Sequence, residues 1–235
     1  MNTGHELSFE HVTKLYRGTY GIQDLSVKLT SGEIAAFIGP NGVGKTTLVK
    51  AAAGLLSLSG GSVSLWGQNT KERSCRAEIG YMQSDMSFYE KMTVYEVLDF
   101  LNSVKFGGRY FAEIESGLYR YHLHEQRNTR IHQLSLGMKR KLSILMALMG
   151  EPKLILLDEP ESGVDTSGII RLKADLTACA ARGAIVILTG HVLDFLEKVC
   201  TRCIFLKDGR IVKDVSLKEK SVGLEALYEE IYGGN

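Results

Sequence analysis

Gly39-Pro40-Asn41-Gly42-Val43-Gly44-Lys45-Thr46 is the stretch that decides the fold of this chain. It fits the phosphate-binding pattern Gly-x4-Gly-Lys-[Ser/Thr]. The apolar run 34–38 before it predicts a buried strand, and residues 46–53 after it predict a helix. A strand, a glycine-rich loop and a helix in this order are the context that phosphate binding requires, which argues against a chance glycine-rich turn.

Each residue type in this loop suits a polyphosphate and its Mg²⁺ ion. Gly39, Gly42 and Gly44 are expected to take backbone angles closed to residues with a Cβ, so that successive N–H groups surround the phosphates. The N-terminus of the following helix adds about half a positive charge at the same place. Lys45 can reach the β- and γ-phosphates, and the Thr46 hydroxyl suits Mg²⁺. The other loop residues expected to bind the nucleotide are Pro40, Asn41, Val43 and Thr47.

Length and composition indicate an ordinary globular chain. It has 235 residues, of which 44% are hydrophobic and 23% charged, enough for one large domain or two small ones. The formal net charge is +1 with Lys and Arg spread along the chain, so nothing calls for a nucleic-acid surface. No apolar stretch approaches the roughly 20 residues that span a bilayer, and the first residues lack the pattern of a secretory signal. We therefore expect a cytosolic chain whose four cysteines are reduced core thiols.

A second buried strand ends on two carboxylates. Residues 154–157 are apolar and lead directly into Asp158 and Glu159. Burying charge at such a place is costly unless it is paired or near a metal, so both residues point to function. Asp158 is expected to hold the Mg²⁺ shell, and Glu159 to orient or deprotonate the water that attacks the γ-phosphate, a role worth about 10²–10⁴-fold in rate. An acidic turn after a strand is a common alternative, but the phosphate loop argues against it here.

A third buried strand, residues 184–188, is followed by Thr189, Gly190 and His191. Ligands of doubly wound sheets sit at the carboxyl ends of the strands, so Glu159 and His191 should meet near the nucleotide loop. His191 could then donate a hydrogen bond to the γ-phosphate, although a lone histidine after a strand is usually structural.

The remaining segments surround this centre. Residues 7–16 and 22–29 alternate as strands of a small sheet. Tyr16 is the aromatic residue expected to stack on the adenine ring; Tyr20 competes with it, and a packed strand residue is the alternative for either. Further predicted elements are a strand at 79–83 that ends on Gln83, a hairpin of 203–206 and 211–212 with an Asp-Gly turn, and an amphipathic helix at 224–232.

Together these motifs resemble the ATP-binding-cassette (ABC) ATPase family over nearly the whole chain. The loop at 39–46 matches its phosphate loop, 154–159 its acidic strand, Gln83 its glutamine and His191 its switch histidine. The deciding piece is Leu134-Ser135-Leu136-Gly137-Met138, which looks like the family signature Leu-Ser-Gly-Gly-Gln in a degenerate form.

The resemblance implies an α/β fold with a parallel core sheet, an N-terminal antiparallel β subdomain and an inserted α-helical subdomain, all in one domain of residues 1–235. The nucleotide-binding core would comprise 1–83 and 142–215, and a C-terminal helical tail 216–235. Residues 84–141, where the apolar spacing is helical, would form the helical subdomain that carries the signature.

The resemblance also implies a mechanism. Two cassettes would pack head to tail, with each ATP between Lys45 of one chain and Ser135 and Gly137 of the other. Gln83 would itself be a catalytic and Mg²⁺-binding residue. It would also couple the nucleotide state of the site to the helical subdomain. Glu161 departs from the family pattern, which has a small or aromatic residue there, and its added negative charge is unexplained.

The function implied is ATP hydrolysis that drives a separate membrane permease from the cytoplasmic side of the cell membrane. The segment 88–97 and the C-terminal helix resemble those of exporter ATPases, which favours export over a binding-protein-dependent importer. A non-transport ATPase acting on ribosomes or DNA is the other class, but one cassette and only about 50 residues between Gln83 and Ser135 argue against it. An inactive regulatory cassette is disfavoured because the expected catalytic residues are all present, namely Lys45, Asp158, Glu159 and His191.

Overall fold

In a computed structural model, which describes residues 5–16, 20–82, 89–217 and 223–233, the chain folds around two β-sheets. The smaller sheet is antiparallel and is built mainly from the segment ahead of the phosphate loop, as the alternating pattern predicts. Its four strands, in spatial order, are β2 (Tyr20–Thr30), β1 (Glu6–Tyr16), β4 (Gly60–Leu65) and β5 (Gln68–Asn69).

The larger sheet is the core of the molecule. Its central strands are continuous apolar runs because helices or the smaller sheet cover both of its faces. Five strands are parallel and the edge strand β10 is antiparallel. The spatial order is β10 (Arg210–Ser216), β9 (Arg202–Lys207), β3 (Ile34–Ile38), β8 (Ile185–Thr189), β7 (Leu154–Asp158) and β6 (Ile79–Met82).

Eight α-helices complete the described part of the chain, and most of them cover one face of the core sheet. The other face packs against the smaller sheet and the helix that follows the phosphate loop. The helices are α1 (Lys45–Ala52), α2 (Arg73–Ala77), α3 (Val94–Phe106), α4 (Phe111–Arg120), α5 (Leu136–Leu148), α6 (Thr166–Ala181), α7 (Leu193–Val199) and α8 (Leu224–Tyr232).

Strand β3 contributes side chains to the hydrophobic clusters on both faces of the larger sheet. Its side chains alternate between the two faces: Ala36 and Ile38 pack with the helices, while Ala35 and Phe37 pack with the smaller sheet. Because β3, β7 and β8 are mutually parallel, their carboxyl ends lie at one edge, where the phosphate loop also begins. The fold thus brings three predicted functional segments to one edge of the sheet.

The Asp-Gly hairpin and the buried cysteine thiols that the sequence predicts are confirmed by the structure. The hairpin turns at Asp208 and Gly209, whose φ angles of 51° and 72° are those of the turn that Asp-Gly favours. All four cysteines are buried and free. No helix among the described residues is long and apolar enough to cross a membrane. Helices α6 and α7, which connect the carboxyl edge of the sheet back to its opposite edge, were not predicted.

Candidate active site

The phosphate loop has the glycine geometry of an anion cradle at two of its three glycines. Gly42 and Gly44 have φ angles of 81° and 112°, in the left-handed region that a side chain disfavours. The same expectation for Gly39 is wrong, because its φ is not positive. A Cβ at Gly39 would instead lie 2.7 Å from the carbonyl oxygen of Leu206 and 2.9 Å from Val43 Cγ1, so close packing explains this glycine.

Lys45 lies in the loop with its ammonium group turned onto the loop backbone. Its Nζ donates to the carbonyl oxygens of Gly39 at 2.7 Å and Pro40 at 3.1 Å, and the residue is only 6% exposed. Burial lowers the pKa of Lys45, while the charges of Glu159 and Asp158 act in the opposite direction. A cation held beside the cradle in this way fits an incoming phosphate.

Asp158 ends β7 and is held by two hydroxyl groups. Thr46 Oγ1 donates to its Oδ2 at 2.9 Å, and Thr189 Oγ1 donates to its Oδ1 through a short hydrogen bond. Asp158 is 9% exposed. The hydroxyl of Thr46 and the Asp158 carboxylate are adjacent hard oxygen donors, which fit Mg²⁺ because this ion keeps most of its waters and takes few protein ligands.

Glu159 follows directly and its backbone turns sharply. Its φ of 50° is a left-handed conformation that costs a non-glycine residue about 1 kcal/mol. The turn is stabilised by the N–H of Glu159, which donates to both the carbonyl oxygen and the Oγ1 of Thr189, at 3.1 and 3.2 Å. Glu159 Oε1 then lies 2.9 Å from Nε2 of His191, and both side chains are 42% exposed. A carboxylate and an imidazole therefore meet at the edge where the phosphate loop begins.

The predicted signature forms the start of α5. Ser135 is the N-cap, since its Oγ accepts from the N–H of Met138 at 3.2 Å. A Cβ at Gly137 would lie 2.6 Å from the carbonyl oxygen of Gly163, so only glycine allows this approach. Leu136, in place of the usual glycine, is 66% exposed. In the described residues no hydrogen bond joins Ser135 or Gly137 to the phosphate loop of the same chain.

Charged contacts fix the signature helix to the loop after the acidic strand. Lys141 Nζ lies 2.7 Å from Asp165 Oδ2, and Arg140 Nε donates to the carbonyl oxygen of Ser162 at 3.3 Å. Asp165 also caps α6 by accepting from the N–H of Gly168 at 2.7 Å. The hydrogen bond from Lys141, with that from Gly168, lowers the pKa of Asp165 to about 2, so its carboxylate stays charged at neutral pH.

The two candidate adenine platforms remain alternatives. Tyr16 and Tyr20 end and begin paired strands, and their rings stack on each other with centroids 6.5 Å apart. They are 38% and 53% exposed, so either ring can receive a base. Gln83, predicted as a catalytic and Mg²⁺-binding residue, lies outside the described residues.

Sequence reasoning missed the roles of two residues near the site. Thr189 bonds both Asp158 and Glu159, and its signal was available as the polar residue at the end of an apolar strand. Glu161 had been singled out only as an unexplained charge; it is buried, and its carboxyl group contacts the backbone of the loop that carries His191.

Comparisons with known proteins support the interpretation of this site as a nucleotide-binding site. Residues 22–162, more than half of the chain, match the family model described as ABC transporter. A Nod factor export ATP-binding protein of Rhizobium johnstonii is 34% identical over 95% of this chain and 74% of its own length. A bacitracin transport ATP-binding protein of Enterococcus faecalis is 32% identical over 89% of this chain and 69% of its own length.

Solved structures give the same result. The ATP-binding subunit of an ABC transporter superposes with a TM-score of 0.89 at 26% identity, covering 96% of this chain and 98% of that one. A dimeric ATP-binding cassette bound to ADP and phosphate has a TM-score of 0.81 at 21% identity, over 90% of this chain and 98% of that one, which shows the shared fold. With the cradle, the acidic strand and the carboxylate–histidine pair in one place, the chain belongs to the ABC transporter family as one of its ATP-binding, ATP-hydrolysing cassettes.

Proposed function

We propose that this cassette works in an exporter, where it drives a separate integral membrane permease from the cytoplasmic face of the membrane. The observation that supports ATP hydrolysis in this proposal is the contact of Glu159 with His191, at 2.9 Å, beside the Asp158 carboxylate and the phosphate loop. Such a site favours a cassette that hydrolyses ATP over one that only binds it. Export is supported by relatives whose names include Nod factor export and bacitracin transport.

In the proposed reaction, each group of the site has one task. The loop N–H groups and Lys45 bind the β- and γ-phosphates, and Thr46 and Asp158 hold Mg²⁺, with Gln83 as a further ligand. Bound Mg²⁺ neutralises phosphate charge. Glu159 accepts the proton of the attacking water, and His191 donates a hydrogen bond to the γ-phosphate while it holds the Glu159 carboxylate in place. His191 and Glu159 thus act as one unit.

The signature is the part of this chain that we propose contacts a second cassette. Ser135 and Gly137 stand at the N-terminus of α5, where free N–H groups favour an anion, yet they have no hydrogen bond to the described phosphate loop of their own chain. Leu136 exposes a large apolar surface at the same place. Both features fit a head-to-tail dimer in which this end of α5 covers the ATP of the partner and Leu136 becomes buried.

We also propose that residues 84–141 move as a helical subdomain against the core of 1–83 and 142–215, with 216–235 as a tail. Among the described residues, polar contacts connect the helical segment to the core at several places, including those of Lys141 and Arg140 given above. Tyr121 Oη donates to Asp175 Oδ2 at 2.7 Å, and Lys105 Nζ donates to the carbonyl oxygen of Ile79 at 2.7 Å. A segment joined to the core in this way can transmit the nucleotide state to a permease that contacts it.

Replacing Tyr16 by alanine is expected to raise the KM for ATP about tenfold, since stacking on a base is worth about 1–3 kcal/mol. Tyr20→Ala is the matched control, because its ring lies beside that of Tyr16 and is more exposed. Steady-state hydrolysis over a range of ATP concentrations measures both values. A larger rise in KM for Tyr20→Ala than for Tyr16→Ala would transfer the adenine platform to Tyr20.

Purification of a tagged Glu159→Gln chain from detergent-solubilised native membranes with MgATP tests the exporter proposal. We expect a multi-span membrane protein at a fixed ratio to the cassette, and recovery of the same complex when the two are expressed together. The matched control is the tagged Lys45→Ala chain, which shows whether the partner depends on the ATP-bound state. Ribosomal proteins or nucleic acid without a membrane partner would instead support a non-transport ATPase, and a soluble solute-binding protein required for activity would indicate import.

A further inference from the structure

Glu161 is a buried carboxyl group directly beneath the loop that carries His191. The residue is 9% exposed, and its Oε1 accepts from the backbone N–H of His191 at 3.4 Å. Its Oε2 is buried without a hydrogen-bond partner among the described residues. Burial raises the pKa of this carboxyl group, and the nearby charge of Glu159 raises it further, against the opposite effect of backbone N–H groups.

The loop above Glu161 is shaped to receive this group. A Cβ at Gly190 would lie 2.6 Å from Glu161 Oε1 and 3.3 Å from its Cδ, so the backbone at Gly190 packs directly on the carboxyl group. The next residue, His191, is therefore held at both of its ends. Its backbone N–H contacts Glu161, and its ring contacts Glu159.

Packing alone does not explain a glutamate at this position. Burying a carboxyl group whose Oε2 has no hydrogen-bond partner among the described residues is costly, whereas an apolar side chain of similar size would fill the space without that cost. Residues that break a local rule of this kind are expected where function requires them. The hydrogen bond that Glu161 accepts comes from the backbone N–H of His191, the residue whose ring contacts Glu159.

We propose that Glu161 is a positioning residue for ATP hydrolysis: its carboxyl group fixes the backbone of residues 190–191 and thereby the direction in which the His191 ring meets Glu159 and the γ-phosphate. The inference rests on the roles proposed for Glu159 and His191. It assigns a task to one of the residues by which this chain departs from the family pattern.

Glu161→Met is the decisive variant. It keeps the length of the side chain but removes the carboxyl oxygen that accepts the hydrogen bond from the N–H of His191. We expect its kcat for MgATP to fall about tenfold, since a small misplacement of catalytic groups is costly, while the KM stays within about twofold. Thermal unfolding should show a Tm no lower than that of the wild type, because a buried carboxyl group has been removed. Glu161→Gln, which keeps an acceptor oxygen, should recover most of the lost kcat.

Two further measurements separate positioning from a general structural effect. In a His191→Ala background, Glu161→Met should cause no additional loss of kcat, because the group that it positions is already absent. Gly190→Ala, which pushes a Cβ against the Glu161 carboxyl, should reproduce the fall in kcat with an unchanged KM, and it serves if Glu161→Met does not fold.

Full kcat in Glu161→Met or in Gly190→Ala would overturn the proposal, as would equal losses in the methionine and glutamine variants or a full further loss in the His191→Ala background. Glu159→Gln is measured in parallel. If the roles proposed for the catalytic residues fail, that variant will hydrolyse ATP at the wild-type rate; if only the positioning role fails, Glu159→Gln will be inactive and Glu161→Met will be active.

Discussion

Glu159→Gln is expected to lower the kcat for ATP hydrolysis by about 10²–10⁴-fold. An amide cannot take up the proton of the attacking water, although it can keep the contact of 2.9 Å that Glu159 Oε1 makes with His191 Nε2. The phosphate loop is unchanged, so ATP binding should persist. Phosphate release under saturating MgATP measures the loss, and titration with a fluorescent ATP analogue measures the affinity.

The same variant should accumulate as an ATP-bound dimer, because the γ-phosphate that bridges the two cassettes is no longer removed. Light scattering after size exclusion in MgATP gives the mass directly. Glu151→Gln is the matched control, since Glu151 lies ahead of β7, at the end opposite Glu159, and its side chain is 70% exposed. Hydrolysis by Glu159→Gln at the wild-type rate would show that Glu159 is not the base.

The parts of this site that were predictable from the sequence are those that depend on neighbouring residues. The phosphate loop lies within eight consecutive residues between a buried strand and a helix, and both the pattern and its physics are local. The same holds for Asp158 and Glu159, whose position at the end of an apolar run marks them. Helix α5 begins after Ser135, within the stretch that matches the signature.

The parts that were not predictable depend on contacts between distant residues. Thr189 and Asp158 are 31 residues apart, and only the parallel pairing of β7 with β8 places the hydroxyl on the carboxylate. Position 39 requires a glycine because the carbonyl oxygen of Leu206, in strand β9, lies only 2.7 Å from where a Cβ would be. The meaning of Glu161 depends on Gly190 in the same way. Sequence patterns locate the groups that carry charge, but the residues that orient them appear only when the sheet is assembled.

Lys45→Ala is expected to weaken ATP binding by roughly 10- to 100-fold, the value of one hydrogen bond to a charged group. The ammonium group is held inside the loop by the carbonyl oxygens of Gly39 and Pro40, so it is already placed for the phosphates and binding need not order it. Its removal also takes one hydrogen-bond donor away from each of these two carbonyl oxygens. Lys50→Ala removes the same charge in the last turn of α1 and should bind ATP like the wild type. Equal affinity of Lys45→Ala and wild type would contradict the assignment.

Combining Lys45→Ala with Glu159→Gln tests the order of the two steps. Binding precedes hydrolysis, so a block at Glu159 can trap only the ATP that Lys45 has helped to bind. At an ATP concentration that half-saturates Glu159→Gln, the double variant should therefore remain monomeric in light scattering while the single variant dimerises. A dimer of the double variant under these conditions would show that assembly does not depend on the contact between Lys45 and phosphate. The monomer would place ATP binding ahead of dimer formation, with Glu159 acting only afterwards.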